Sequence, residues 1–142
     1  MKATKLQILD CVPIYANFNE ENRMHTMEIA QAFVKLLKDG KFDEAGKMYW
    51  SDDIASFEAM DGPMANIKGR AAVEAKSAWW YDNHEVHSVK VEGPYPNAHQ
   101  FVLRFTMDVT PKGGQRMTMD EMALYTVLDE KIVEERFFYG GI

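Results

Sequence analysis

The sequence has 142 residues, 46% apolar and 27% charged, with a formal net charge of −6, which suits one globular domain able to bury about two thirds of its unfolded surface. A negative balance argues against nucleic acid or an anionic membrane as the main partner, because both call for a basic face. The single cysteine, Cys11, excludes an internal disulfide and a cysteine metal cluster and fits a reducing, cytoplasmic setting.

Residues 1–24 read as an N-terminal extension, extended or loop: KLQILDCVPIY makes at most a short strand broken at Pro13, and NFNEENR is polar. Its apolar stretch is too short and too interrupted for a signal peptide or a membrane span. A domain over residues 25–142 follows. Thr26 is the expected N-cap of a first helix, with Ala30, Phe33, Val34 and Leu37 on its buried stripe and Gly40 as its stop. A second short helix runs from Asp43 to about Tyr49, with Phe42, Ala45 and Tyr49 inward, and Ser51-Asp52-Asp53 breaks it. Ile54 to Met60 is a strand that puts Ser56 and Glu58 on one face. The run RAAVEAKSAWWYDN makes a third helix, ending near Asn83, with Ala72, Val73, Lys76 and Trp80 on one stripe.

From His84 onward the pattern is β. A strand to Glu92 is expected to turn at Gly93-Pro94. A second strand runs from Gln100 to Thr110, a turn follows at Gly113-Gly114, and a long hairpin closes the chain around Asp129-Glu130. Phe101, Leu103, Phe105, Met107 and Val109 form the inner row of the second strand. In the hairpin, Met117, Met119, Glu121, Ala123, Tyr125 and Val127 share one face, and Val133, Glu135, Phe137 and Tyr139 share another. Helices first, then an antiparallel meander, is an α+β order.

Three carboxylates, Glu58, Glu121 and Glu135, therefore fall in apolar rows, where a charge is costly unless it is partnered, wet or functional. Packed together they raise one another's proton affinity, so that one carboxyl is a neutral acid while another stays a base. Tyr125 and Tyr139 are their expected hydrogen-bond partners, although Glu135 and Glu121 can equally be structural, paired with a neighbouring cation or hydroxyl. Trp80 faces the same pocket or completes the core, and His87, in phase with Val89 and Val91, reaches the cavity mouth or is structural. HEVH at His84 and His87 has the wrong spacing for a shared metal. No phosphate loop, nucleophile elbow or nucleotide fingerprint is present, so neither a cofactor nor a metal is expected.

The words EIAQAFVKLLKDGKFDEAGKMYWSDDI, IKGRAAVEAKSAWWYDNHEVHSVKVEGP and MTMDEMALYTVLDEKIVEERFFYGG resemble the SnoaL-like branch of the nuclear transport factor 2 (NTF2) superfamily. That branch is related to ketosteroid isomerases and polyketide cyclases. The resemblance implies a cone-shaped NTF2-like fold, a cystatin-like α+β roll in which three helices pack on a strongly curved antiparallel sheet. It also implies a cavity for a small apolar or carbonyl-containing ligand and a homodimer through the outer sheet face, with Val102, Arg104 and Thr106 in the contact row. The isomerase base falls on Glu58, whereas the two isomerase oxyanion donors fall on Phe33 and on or beside Ala123, so that neither donor is retained. The expectation is then a cofactor-free isomerase, cyclase or lyase with Glu58, Glu121 and Tyr125 catalytic. Phe33, Trp80, His87, Leu103, Phe105, Met107, Glu135, Phe137 and Tyr139 would line the ligand site. The alternative is a ligand-binding or assembly module without chemistry.

Overall fold

The structure, a computed structural model, describes residues 20–140. The elements are α1 (Glu20–Lys38), α2 (Phe42–Tyr49), β1 (Trp50–Phe57), β2 (Asn66–Lys68), α3 (Arg70–Asn83), β3 (His84–Pro96), β4 (Gln100–Pro111), β5 (Met117–Leu128) and β6 (Lys131–Phe138). They form the expected α+β architecture, with an open six-stranded sheet in the order β2-β1-β6-β5-β4-β3. The meander β3 to β6 is antiparallel throughout, and β1 joins its far end parallel to β6. Helix α3 touches β1 and β2 near one edge of the sheet and β3 at the other. Helix α3 runs straight into β3 at Asn83 and His84, so it links that edge strand to the β1 and β2 side of the sheet.

The core lies between α1 and the concave face. Ile29, Ala30, Phe33, Val34 and Leu37 of α1 are buried against Phe101, Leu103, Phe105, Met107 and Val109 of β4 and Ala123, Tyr125 and Val127 of β5, as the two periodicities require. Helix α1 ends on Gly40, whose φ of 76° is open to glycine. The Lys41 amide then closes on the Leu36 carbonyl at 2.9 Å. Asp129 and Glu130 take the paired positive φ angles, 49° and 65°, of a two-residue hairpin turn.

Several local expectations are corrected. Most of the proposed N-terminal extension, Cys11 included, falls on residues 1–19 and lies outside the described residues, but its last residues are helical. Helix α1 starts at Glu20, because Glu, Arg and Met are good helix formers and a polar run is no barrier to a helix. Thr26 is consequently inside the helix rather than capping it. It is buried, and its hydroxyl donates to the Ala98 carbonyl at 2.8 Å. Helix α2 ends at Tyr49 as expected, but strand β1 begins at once at Trp50 and carries Ser51-Asp52-Asp53, rather than starting at Ile54, and the short β2 is an element that the residue pattern does not signal.

Two bulges also shift phases. In β3, Val86 pairs with Val109 and Ser88 with Asp108, so His87 is an extra residue and turns outward. In β6, Ile132 pairs with Val127 and Glu134 with Thr126, so Val133 is the extra one, and Ile132 rather than Val133 shares the buried face with Glu135. Gly93-Pro94 is no turn: β3 runs on to Pro96, with an irregularity there, and Gly93 packs so closely on the adjacent strand that a side chain on it would sit 2.9 Å from the Val102 carbonyl. The turn falls instead at Asn97, whose carboxamide oxygen accepts from the His99 and Gln100 amides at 3.0 and 2.8 Å. Ala72 is exposed, leaving Val73, Lys76 and Trp80 as the inward stripe of α3.

Candidate functional site

Alternation along β1 points Ile54 and Ser56 into the concave face, and Glu58 follows in the same row. The Glu58 amide bonds the Ala65 carbonyl at 2.8 Å, which anchors the residue after the strand proper has ended. In the parallel register Ser56 lies opposite Glu135, and on the other side of β6 Glu135 lies opposite Tyr125. Ala123 lies opposite Phe137, which places Glu121 and Tyr139 next along the same two rows. Helix α3 crosses above and lowers Lys76 into the group.

The result is a chain of charge-assisted hydrogen bonds. The Lys76 ammonium donates to Glu58 Oε1 at 2.7 Å and to Ser56 Oγ at 2.5 Å, and Ser56 donates to Glu135 Oε1 at 2.7 Å. Tyr139 closes the outer end by donating to Glu58 Oε2 at 2.9 Å. Lys76 also lies 3.9 Å from Glu135 Oε1 and 5.0 Å above the Phe137 ring. The side chains of Lys76 and Glu135 are only 12% and 5% exposed, so these are interior charges. One ammonium serves three carboxylates.

That imbalance sets the proton affinities. Burial pushes the Glu121 carboxyl up to about 7, the Glu58 carboxylate pushes the same way, and Lys76 opposes them. Burial likewise raises Glu135, against the pull of Lys76 and the Ser56 hydrogen bond. Tyr139 is raised to about 12 by burial and by donating to Glu58. Tyr125 is pushed well above its ordinary value by burial and by the two acids beside it.

A cleft of about 510 Å³ opens where β6 ends, against the outward row of the sheet, and Glu121 and Tyr139 are among the residues that line it. Its outer lip carries Tyr95, Arg104, Met122 and Phe138. Behind it the cone is packed rather than hollow. The Tyr125 ring stacks on Phe101 at 4.9 Å, and Phe33 meets Tyr125, Tyr49 and Phe101 edge-on at 5.3 to 6.1 Å.

The fold thus brings Glu58, Glu135, Phe137 and Tyr139 into contact through Lys76 and Ser56, with Glu121 and Tyr125 close enough to perturb and be perturbed. It does not bring in the others. Phe33, Leu103, Phe105 and Met107 are core wall. Trp80 is half-buried and stacks on His84 at 4.5 Å, where α3 passes into β3. His87, turned out by its bulge, is exposed and bonds the Thr110 hydroxyl at 2.7 Å. Sequence reasoning did not place Lys76 and Ser56 in the site. The signal was present for both: a lysine on an inward helical stripe, and a hydroxyl two residues before Glu58 in the same row.

Among the described residues no group of three or more His, Cys, Asp or Glu side chains is arranged to hold a metal ion, and no helix is long and apolar enough to cross a membrane.

The raised Glu121 carboxyl has a measurable consequence. Its folded-state value of about 7 lies above the ordinary 4.5, so the folded chain holds a proton that the unfolded chain has released. The associated stability is full below about pH 4.5 and is lost as pH rises through about 7. Glu121→Gln should flatten that slope and leave the protein more stable than the native chain at pH 8, by on the order of 2–3 kcal/mol. Urea unfolding at pH 5 and pH 8 reads it, and an unchanged slope would refute the assignment.

The comparisons with known proteins bear on the family and the fold. A family model described as a SnoaL-like domain matches residues 24–139. Among solved structures, the chain is similar to a candidate SnoaL-like polyketide cyclase of Mesorhizobium loti, also labelled a carbohydrate phosphatase. The two share 58% identity over 80% of this chain and 97% of that one, with a TM-score of 0.78. A candidate polyketide cyclase of Xanthomonas campestris shares 18% identity over 84% and 93% of the two chains, with a TM-score of 0.62. An NTF2-like protein of Burkholderia xenovorans shares 15% over 83% and 91%, with a TM-score of 0.63. The last two establish the NTF2-like fold alone. No protein of curated description matches.

Proposed function

Because the chain belongs to the SnoaL-like family, we propose that its acid-lined cleft binds a small carbonyl compound and moves a proton beside the carbonyl without a cofactor, as an isomerase, cyclase or lyase. The observation that carries this reading is the contrast between two carboxyls. Glu58 accepts hydrogen bonds from Lys76 and Tyr139, two donors that hold its carboxylate in place as the general base. Glu121, lining the cleft with Tyr139, is raised to about 7 and supplies the acid that protonates or hydrogen-bonds the developing enolate oxygen. Tyr139 stands at the cleft with its one hydroxyl proton donated to Glu58, and Tyr125, expected as the donor, is held deeper by the aromatic cluster. Three acids against one ammonium disfavour a phosphate ester, since a phosphate needs cationic partners. The polyketide cyclase description of the 58% identical relative points to the same carbonyl chemistry.

The test is turnover across a panel of carbonyl, epoxide and polyketide-like compounds, followed against pH. The rate should fall as pH rises through about 7, where Glu121 loses its proton. A flat profile across that range, in a compound that does turn over, excludes Glu121 as the acid.

The second reading, a ligand-binding or assembly module without chemistry, draws on the aromatic rings that fill the deep end of the cone and leave only its mouth open. Both readings include a cytoplasmic homodimer joined through the outer sheet face. Val102, Arg104 and Thr106 face outward on β4 there, beside the exposed Met122 and Phe138; Arg104, Met122 and Phe138 also line the cleft, so a partner subunit would form part of its wall. Arg104 is already held by Asp120 through two bonds, at 3.0 and 2.7 Å, so it enters such a contact preorganised. Elution at the dimer mass is expected, with Arg104→Glu shifting it towards the monomer, and a native chain that elutes as a monomer contradicts the proposal.

A further inference from the structure

Glu135 and Ser56 have no part in the chemistry described above, yet they are the most deeply buried polar groups of the site. Ser56 is fully buried and Glu135 is 3% exposed. The donors from the ammonium inward run in one sense: Lys76 donates to Ser56, Ser56 donates to Glu135, and the same ammonium donates outward to Glu58. The links to the two carboxylates, Lys76 to Glu58 and Ser56 to Glu135, both measure 2.7 Å, a length of strong charge-assisted bonds, and the ammonium and the hydroxyl are in hydrogen-bond contact between them. A carboxylate whose only need was a partner would be satisfied by an amide or by the ammonium itself. Here a hydroxyl, which can donate and accept at once, is inserted between the ammonium and the acid. The charged and titratable groups around Glu135 are Glu58 from the β1 row, Lys76 from α3, and Tyr125 and Glu121 from β5, with the Ser56 hydroxyl in direct contact.

We propose that Lys76 and Ser56 form a proton wire from Glu58 to Glu135, so that Glu135 stores the proton that Glu58 removes from the substrate. The proposal rests on the proton-transfer reading of the cleft. Substrate C–H gives its proton to the Glu58 carboxylate. The Ser56 hydroxyl proton then passes to Glu135 Oε1 while a Lys76 N–H proton passes to Ser56 Oγ, and the Glu58 proton refills Lys76 Nζ. One proton has moved from Glu58 to Glu135, and both the ammonium and the hydroxyl are restored. Glu58 is again a base, Glu135 is neutral, and the charge of the group is unchanged. Running the steps backward returns the proton to the cleft. Burial suits Glu135 to this role because it favours the neutral form of an acid. A reaction that must deliver the proton to a different atom from the one that lost it, as a cyclisation or elimination does, gains a store shielded from solvent.

The wire is testable without a substrate. With glutamate labelled at its carboxyl carbon, NMR relaxation dispersion near the Glu135 titration midpoint reads how fast that buried carboxyl exchanges between its protonated and ionised forms. The native chain should exchange fast. Ser56→Ala removes the hydroxyl and Glu58→Gln removes the outer terminus, and each should slow the exchange at least about 10-fold. A role for Ser56 in packing alone predicts no effect of Glu58→Gln. Native exchange rates in either variant overturn the wire. Turnover failing across the compound panel while the exchange remains coupled would sink the catalytic reading and leave the conduction path standing.

Discussion

Glu58→Gln should lower turnover by at least about 100-fold, equivalent to about 2.7 kcal/mol of transition-state stabilisation. The substitution is close to isosteric, and the new carboxamide oxygen still accepts from either Lys76 or Tyr139, both of which donate to Glu58 in the native chain. Folding should therefore survive, which separates the chemical effect from a structural one. The loss belongs in kcat rather than KM, because a base acts on the proton in flight and contributes little to holding the substrate. Glu121→Gln should lower the rate too, but by less, since an amide can still donate a hydrogen bond to an oxyanion where it cannot deliver a proton. Native turnover in Glu58→Gln, on any compound the native chain converts, removes Glu58 from the mechanism.

Glu58 is legible in the sequence because two independent lines meet on it: the alternation of β1, and a family resemblance that places the isomerase base there. The inner rows of β4 and β5 are legible for the same elementary reason, strand periodicity over long uninterrupted runs. What escapes is whatever breaks a period. His87 is in phase with an inward row until the extra residue of a bulge rotates it outward, and Val133 loses its place to Ile132 in the same way. A bulge costs one unpaired residue and carries no residue-type signature, so periodicity continues past it unaware. Lys76 escapes for another reason. Its stripe on α3 follows from helical spacing, apart from Ala72, but a lysine on such a stripe ordinarily carries its ammonium out to water on a long stem. Its inward course follows from three acids converging from β1, β5 and β6, a tertiary fact that no single segment contains. The acids themselves give the hint, since buried carboxylates without a cation would be too costly to keep ionised.

Lys76→Met should be the most destabilising substitution in the site. Methionine has about the same length and can lie against Phe137, over which the ammonium now sits at 5.0 Å, so packing is largely kept while the charge is lost. Glu58 and Glu135 then face each other without their common partner, and the loss at pH 8 should be about 3–5 kcal/mol, the usual result of stranding a buried charge. The pH dependence is what identifies the cause. The ammonium lowers the proton affinity of both Glu121 and Glu135, so its removal raises them further above the ordinary carboxyl value. The folded variant then binds more protons than its unfolded chain, and its stability declines as pH climbs from about 4.3 towards those raised values. At pH 5 the acids can take up protons and relieve the repulsion, so the gap between the variant and the native chain should narrow there. It should be widest at pH 8. Urea midpoints for the two proteins at both pH values decide the matter. Gaps of equal size at pH 5 and pH 8 would mean that Lys76 contributes packing alone, and the role of its charge in setting the proton affinities of Glu121 and Glu135 would lose its physical basis.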